Sequence, residues 1–281
     1  MSNAATKTLT AALAALAMLG SCAGDRGEKE AAALVAEARA ALEAGDCPAA
    51  LTLADSVARA YPKALEARRE ALHTATLARE GMALREIEAT DSLIAHLALR
   101  SDSLSAYVTR VDNPVEPYFV ARGENTAAVY TTTGLHGRLS PEGDFYILAT
   151  LAGHPVQSTS VSVEGPDGSS ATTSSIPHDG ERNDRSGSTE VITFLAAECD
   201  TVARYIHEHA GERLTLVFNG TRGTYRTPLS TDGAERLAAL YEYACTVREA
   251  RMATVKREKL SRALELSRQQ AARTFVEPTE K

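Results

Sequence analysis

The pattern of apolar and polar positions divides the chain into a helical zone, a strand-like zone and a second helical zone. From Glu30, Leu34, Ala38 and Leu42 recur at four-residue spacing, the signature of one helix face. Gly45-Asp46 stops that helix, and Pro48 suits the first turn of the next. Leu51, Leu53, Ala54 and Val57 mark the second helix, which closes at Tyr61-Pro62. A third helix is predicted from Pro62 to about Val111. Thr90, Ile94, Leu97, Ser101, Leu104, Val108 and Val111 keep the alternating four-three spacing of a coiled-coil seam. Gly81 reads as a break in it, and Asn113-Pro114 as its end.

Between residues 115 and 229 the period changes to two. Tyr118-Phe119-Val120, Ala127 to Thr133, Phe145 to Leu151, Ser158 to Val163 and Thr189 to Leu195 are expected strands, Phe145 to Leu151 a central one because it is nearly continuously apolar. Ala196 to His209 reads as a helix. Leu214, Leu216 and Phe218 alternate up to Asn219-Gly220, an expected hairpin turn before a return strand at Tyr225. Residues 231–273 are helical again, with Leu237, Leu240, Tyr241, Ala244 and Val247 as the apolar stripe and Asp232 with Glu235 as a capping-box-like start.

These elements predict an α+β fold. A helical hairpin and long coiled-coil helix (31–113) pair with a long C-terminal helix (230–273), and a β-rich head with one helix (114–229) is inserted between them. Residues 22–30 are small and charged and read as a tether. Residues 274–281 read as a tail. The first hairpin, about one repeat long, resembles a tetratricopeptide unit.

Residues 1–21 read as an export signal. The apolar run Leu9 to Leu19 is shorter than the roughly 20 residues that span a bilayer, and it ends Leu19-Gly20-Ser21-Cys22. That ending resembles a bacterial lipobox. The resemblance implies cleavage before Cys22, lipidation of Cys22 and, with Ala23 next, an outer-membrane address. Acyl chains anchor stably because each buried methylene contributes about 0.8 kcal/mol. The remaining cysteines, Cys47, Cys199 and Cys245, are far apart and form no CxxC. Buried single thiols are expected rather than a disulfide frame or zinc site.

Composition narrows the function classes. The formal charge of −7 over 281 residues argues against a nucleic-acid surface. There is no tryptophan, which disfavours sugar stacking. Tyr118, Tyr130, Tyr146 and Tyr225 keep a ligand site open. His207 and His209, two residues apart on a helix, diverge and cannot share a metal. The loop Pro177 to Ser188 places Asp179, Glu181 and Asn183 in alternation but lacks calcium-loop spacing, and it reads as an unstructured polar loop. No nucleophile elbow or phosphate loop occurs, so no enzymatic activity, metal or cofactor is expected.

Asp-Ser/Thr-aliphatic triplets occur at Ser56, Ser92, Ser103 and Thr201. They resemble the O-glycosylation signal of exported proteins in Bacteroides-type bacteria. Together with LGSC, the hairpin AGDCPAALTLADSVARAYPKALEARREAL, the heptad helix and the segment LTLVFNGTRGTYRTPLSTDGAERLAALYEYA, the chain resembles uncharacterised envelope lipoproteins of those bacteria. That resemblance implies a location and an architecture and carries no activity. The resulting expectation is a non-catalytic lipoprotein, held to the membrane by its lipid, whose head or hairpin contacts another envelope protein. The alternative is a surface module that binds a glycan or peptide. A concave pocket lined by tyrosines would favour ligand binding, a flat apolar patch a protein partner.

Overall fold

The computed structural model describes residues 24–274. They form two compact units, 24–89 with 257–274, and 90–256. The fold is α+β, as the pattern predicts: three helices, a middle region of two antiparallel sheets, and a long C-terminal helix against the third helix.

The first unit holds α1 (Gly24–Glu43), α2 (Cys47–Ala60), the first half of α3 (Leu65–Ser105) and the last turns of α5 (Thr231–Thr274). Its core is mostly alanine: Ala31, Ala38, Ala54, Ala67, Ala71 and Ala75 surround Val35 and Val57. Small contact side chains let helix axes come close. Gly45 leaves α1 at φ +78°, and Asp46 caps α2 by accepting the Ala49 N–H at 3.1 Å. His73 Nδ1 lies 3.3 Å from Thr274 Oγ1, and Arg268 donates to Glu80 at 2.8 Å, so α3 and α5 run antiparallel.

Two expectations are corrected here. Residues 24–30 are the first turns of α1 rather than a tether. Glu28 accepts the Ala67 N–H at 3.3 Å and Glu30 the Tyr61 hydroxyl at 3.4 Å, so these charges have partners at the start of α3 and the end of α2. Gly81 does not break α3. It is where Cys47 packs against the helix, and a Cβ there would stand 2.6 Å from the Cys47 sulfur.

The second unit begins with the rest of α3. Of residues 90–105, Thr90, Ile94, Leu97, Ser101 and Leu104 are the ones withdrawn from solvent, as the seam requires. Arg100 reaches Glu242 of α5 at 2.8 Å. The seam stops there. Val108 and Val111 belong to β1 (Val108–Val111), where β-branched Val-Thr-Arg-Val favours a strand. β1, β2 (Tyr118–Ala121), β3 (Gly134–Leu139), β4 (Phe145–Ala152), β8 (Thr189–Leu195) and β7 (Asn183–Ser186) form a six-stranded sheet in that spatial order. β10 (Gly223–Pro228), β9 (Thr215–Gly220), β5 (Ser158–Glu164) and β6 (Ser170–Thr172) form the second. One core joins them: Ile147 and Phe194, Val161 and Phe218, Val202 and Ile206 of α4 (Asp200–Glu208), and Leu237 and Leu240 of α5.

Local polar bonding overrides the pattern at several points. Ala127 to Thr133 is a set of turns, not a strand. Asn125 accepts the Ala127 N–H on its side chain and the Ala128 N–H on its carbonyl. The polar loop 177–188 is ordered and contains β7, since Asp179 gathers three backbone N–H groups and Asn183 is buried. A 3-10 turn at Ala196–Glu198 precedes α4. Asn219 and Gly220 stay in β9 and the hairpin turns at Thr221-Arg222. Gly220 is needed because the Val156 carbonyl occupies the place of a Cβ. Ser230, not Asp232, caps α5, accepting the Gly233 N–H at 3.1 Å, while Asp232 pairs with Arg236.

Candidate functional site: a groove at one end of the six-stranded sheet

Strand pairing assembles the groove. Arg138 on β3 lies opposite Tyr146 on β4, and Tyr146 opposite Leu195 on β8. Directly paired residues share a sheet face. Phe119 pairs with Leu139, which sets Tyr118 on the Arg138 face. Alternation then sends Leu139, Phe145 and Phe194 into the core and leaves Tyr118, Arg138, Tyr146 and Leu195 in a row across four strands.

The far end of this face is covered. Segment 122–133 folds over it, pinned where Thr150 donates to the Val129 carbonyl at 2.5 Å and where His136 Nδ1 meets Glu124 at 2.7 Å. Arg236 approaches Glu124 from the other side at 3.5 Å. The hydrogen bond from His136, helped by Arg236, holds the Glu124 carboxyl below its usual range despite burial. The uncovered end is a cavity of about 660 Å³, with Val115, Glu116, Tyr118, Arg138, Asp144 and Tyr146 among its walls. That is the size of an ordinary small-ligand site.

The groove is apolar in its walls and charged at three points. The Arg138 guanidinium carbon lies 4.5 Å from the centre of the Tyr118 ring, a cation–π contact. Its Nε is buried and has no hydrogen-bond partner among the described residues. Burial raises the Tyr146 hydroxyl pKa, and Arg138 beside it opposes that shift. The rim passes from half-exposed Leu195 to Ala196, a non-glycine at φ +45°. Such a backbone costs of order 1–3 kcal/mol and persists only where its surroundings hold it.

The structure brings together two of the four tyrosines singled out from the sequence. Tyr130 is 55% exposed elsewhere, and Tyr225 stacks on His154 with ring centres 4.5 Å apart. Arg138 escaped sequence reasoning because β3, Gly-Leu-His-Gly-Arg-Leu, has two glycines and weak alternation. Its signal was Leu135 and Leu139 flanking a period-two stretch that ends in a turn.

The remaining candidates lie apart from the groove. Cys22 lies outside the described residues. Ser56 on α2 and Ser103 on α3 donate back to the Thr52 and Leu99 carbonyls, at 2.8 and 3.0 Å. Ser92 on α3 and Thr201 on α4 are exposed. Cys47, Cys199 and Cys245 are free thiols, the first two buried. Burial pushes the Cys199 thiol up to about 12. His207 approaches Glu242, whereas His209 lies against the Tyr205 ring and Glu212. Among the described residues no group of three or more His, Cys, Asp or Glu is placed to hold a metal.

Other buried polar groups serve the fold. Glu190, 2% exposed, accepts the Gln157 N–H at 2.6 Å, the Ser158 N–H at 2.9 Å and the Ser158 hydroxyl. It thereby stabilises Gln157 at φ +58°. Tyr241 donates to Asp200 at 2.9 Å, tying α5 to α4. Comparison with known proteins finds no matching family model, no similar curated protein and no similar solved structure.

Proposed function

We propose that this chain is a non-catalytic envelope lipoprotein that binds a ligand in the groove over Tyr118, Arg138 and Tyr146. In this reading Cys22 carries the lipid, the anchor sits in the outer membrane, and the ligand belongs to another envelope component, such as a protein partner. The carrying observation is the groove itself: a concave, tyrosine-walled site with a guanidinium whose Nε lacks a partner. Arg185 and Arg236 of the second unit also have a buried Nε without a hydrogen-bond partner among the described residues, but only Arg138 of the three lines the cavity. The groove also lacks a nucleophile–base pair. Its aliphatic hydroxyl, Ser140, accepts the Asp144 N–H at 3.2 Å, and no histidine lines the site.

Titration calorimetry of the full chain against short peptides and oligosaccharides tests this. The reading expects saturable binding of at least one compound that Tyr146→Ala weakens about tenfold or more. Binding that Tyr146→Ala leaves unchanged would contradict it.

A further inference from the structure

Resting on that reading, we propose that the groove's ligand is a short peptide with a free C-terminal carboxylate, which meets Arg138, and an ammonium group, which meets Glu116 and Asp144. Arg138, Glu116 and Asp144 all line the cavity, yet none forms an ion pair among the described residues. Arg110, Arg182 and Arg226 of the same unit do pair with carboxylates. Glu116 lies close enough to Tyr146 to raise its hydroxyl pKa.

Arg138 is fixed by its neighbours. Stacked on the Tyr118 ring and set beside Tyr146, its guanidinium keeps Nε–H unbonded. A guanidinium offers parallel donors to one carboxylate, and no carboxylate of the described residues pairs with Arg138. An anion without a cationic group would face repulsion from Glu116 and Asp144. A cation without a carboxylate would leave Arg138 unmatched. A zwitterionic chain end satisfies both, and the apolar walls at Val115, Pro117 and Leu195 accept the aliphatic segment between them. A neutral sugar meets none of the three charges.

The test is calorimetry on the full chain with the tripeptide N-acetyl-Ala-Lys-Ala, its C-terminal amide, its norleucine analogue N-acetyl-Ala-Nle-Ala, and maltotetraose. The expected result is saturable binding of the free acid, weakened roughly tenfold or more by amidation and severalfold by norleucine. Arg138→Gln should erase the effect of amidation while leaving the lysine preference. Glu116→Gln with Asp144→Asn should do the converse. If Arg138→Gln does not fold, Arg138→Lys must retain binding but lose part of the amidation penalty. Equal binding of acid and amide by the native chain overturns the zwitterion assignment and leaves the groove reading intact, as does Tyr146-dependent binding of maltotetraose alone. Binding of none of the four overturns the zwitterion assignment, whereas the groove reading itself fails only if its broader panel also shows no Tyr146-dependent ligand.

Discussion

Gly81 of α3 meets the side chain of Cys47 at the start of α2, where a single added methyl would fall 2.6 Å from sulfur. The contact lets an alanine-lined hairpin close on α3 without a large apolar residue. Gly81→Ala therefore opposes two effects. Helix propensity favours alanine by about 1 kcal/mol, and overpacking costs about 1–3 kcal/mol. The clash should win, with a net loss of about 1 kcal/mol or more in chemical denaturation. Cys47→Ala in the same chain should restore the loss, and additive effects of the two substitutions would show that the contact is not formed.

Glu124 gives the second unit a pH dependence of known sign. Its carboxyl titrates lower folded than unfolded, chiefly through the hydrogen bond from His136. Its contribution is fully present above the ordinary glutamate value of about 4.3, and it is lost as pH falls through the lower folded value. Glu124→Gln should flatten the loss of stability on acidification and cost roughly 1–3 kcal/mol at pH 7. A parallel acid profile in wild type and variant would remove Glu124 from the explanation.

Thiol reactivity should follow burial. Cys245 is half-exposed, Cys47 and Cys199 are buried, and the Cys199 thiol is pushed up to about 12. In native protein at pH 8, a disulfide-exchange reagent should modify Cys245 first and Cys199 only on unfolding. Rapid modification of Cys199 in the native state would contradict the packing beneath α4.

Lipid attachment is proposed from the run Leu19-Gly20-Ser21-Cys22. Cys22→Ser should leave an unacylated precursor that no longer partitions with membranes after a high-salt wash. Acylation of the variant to the wild-type extent would place the lipid elsewhere or nowhere.

Where one strong period dominates, sequence and structure agree. The seam at Thr90, Ile94, Leu97, Ser101 and Leu104, the helix stop at Gly45-Asp46 with Pro48 in the next first turn, and the central strand from Phe145 are all legible in the sequence. Disagreement arises where short-range polar bonding or close approach decides the backbone. Val108 and Val111 keep the helical spacing of the seam and still enter a strand. Ala127 to Thr133 yields to turns led by Asn125, and Gly220 is required by the Val156 carbonyl, not by a turn. The groove was half legible. Tyr118 and Tyr146 stand out as aromatics in strands. Their meeting with Arg138 depends on β3 and on its register against β2, set across segment 122–133 through the Phe119–Leu139 pair, which no local pattern encodes.

The claim that this groove is the binding site is tested most directly by selective ring labelling of the nine tyrosines. Nuclear magnetic resonance of the full chain, titrated with N-acetyl-Ala-Lys-Ala, should shift the Tyr118 and Tyr146 ring signals in proportion to saturation. Tyr130, Tyr205 and Tyr225 should stay in place. Shifts confined to those three, or saturable binding that moves no signal of Tyr118 or Tyr146, would contradict the account.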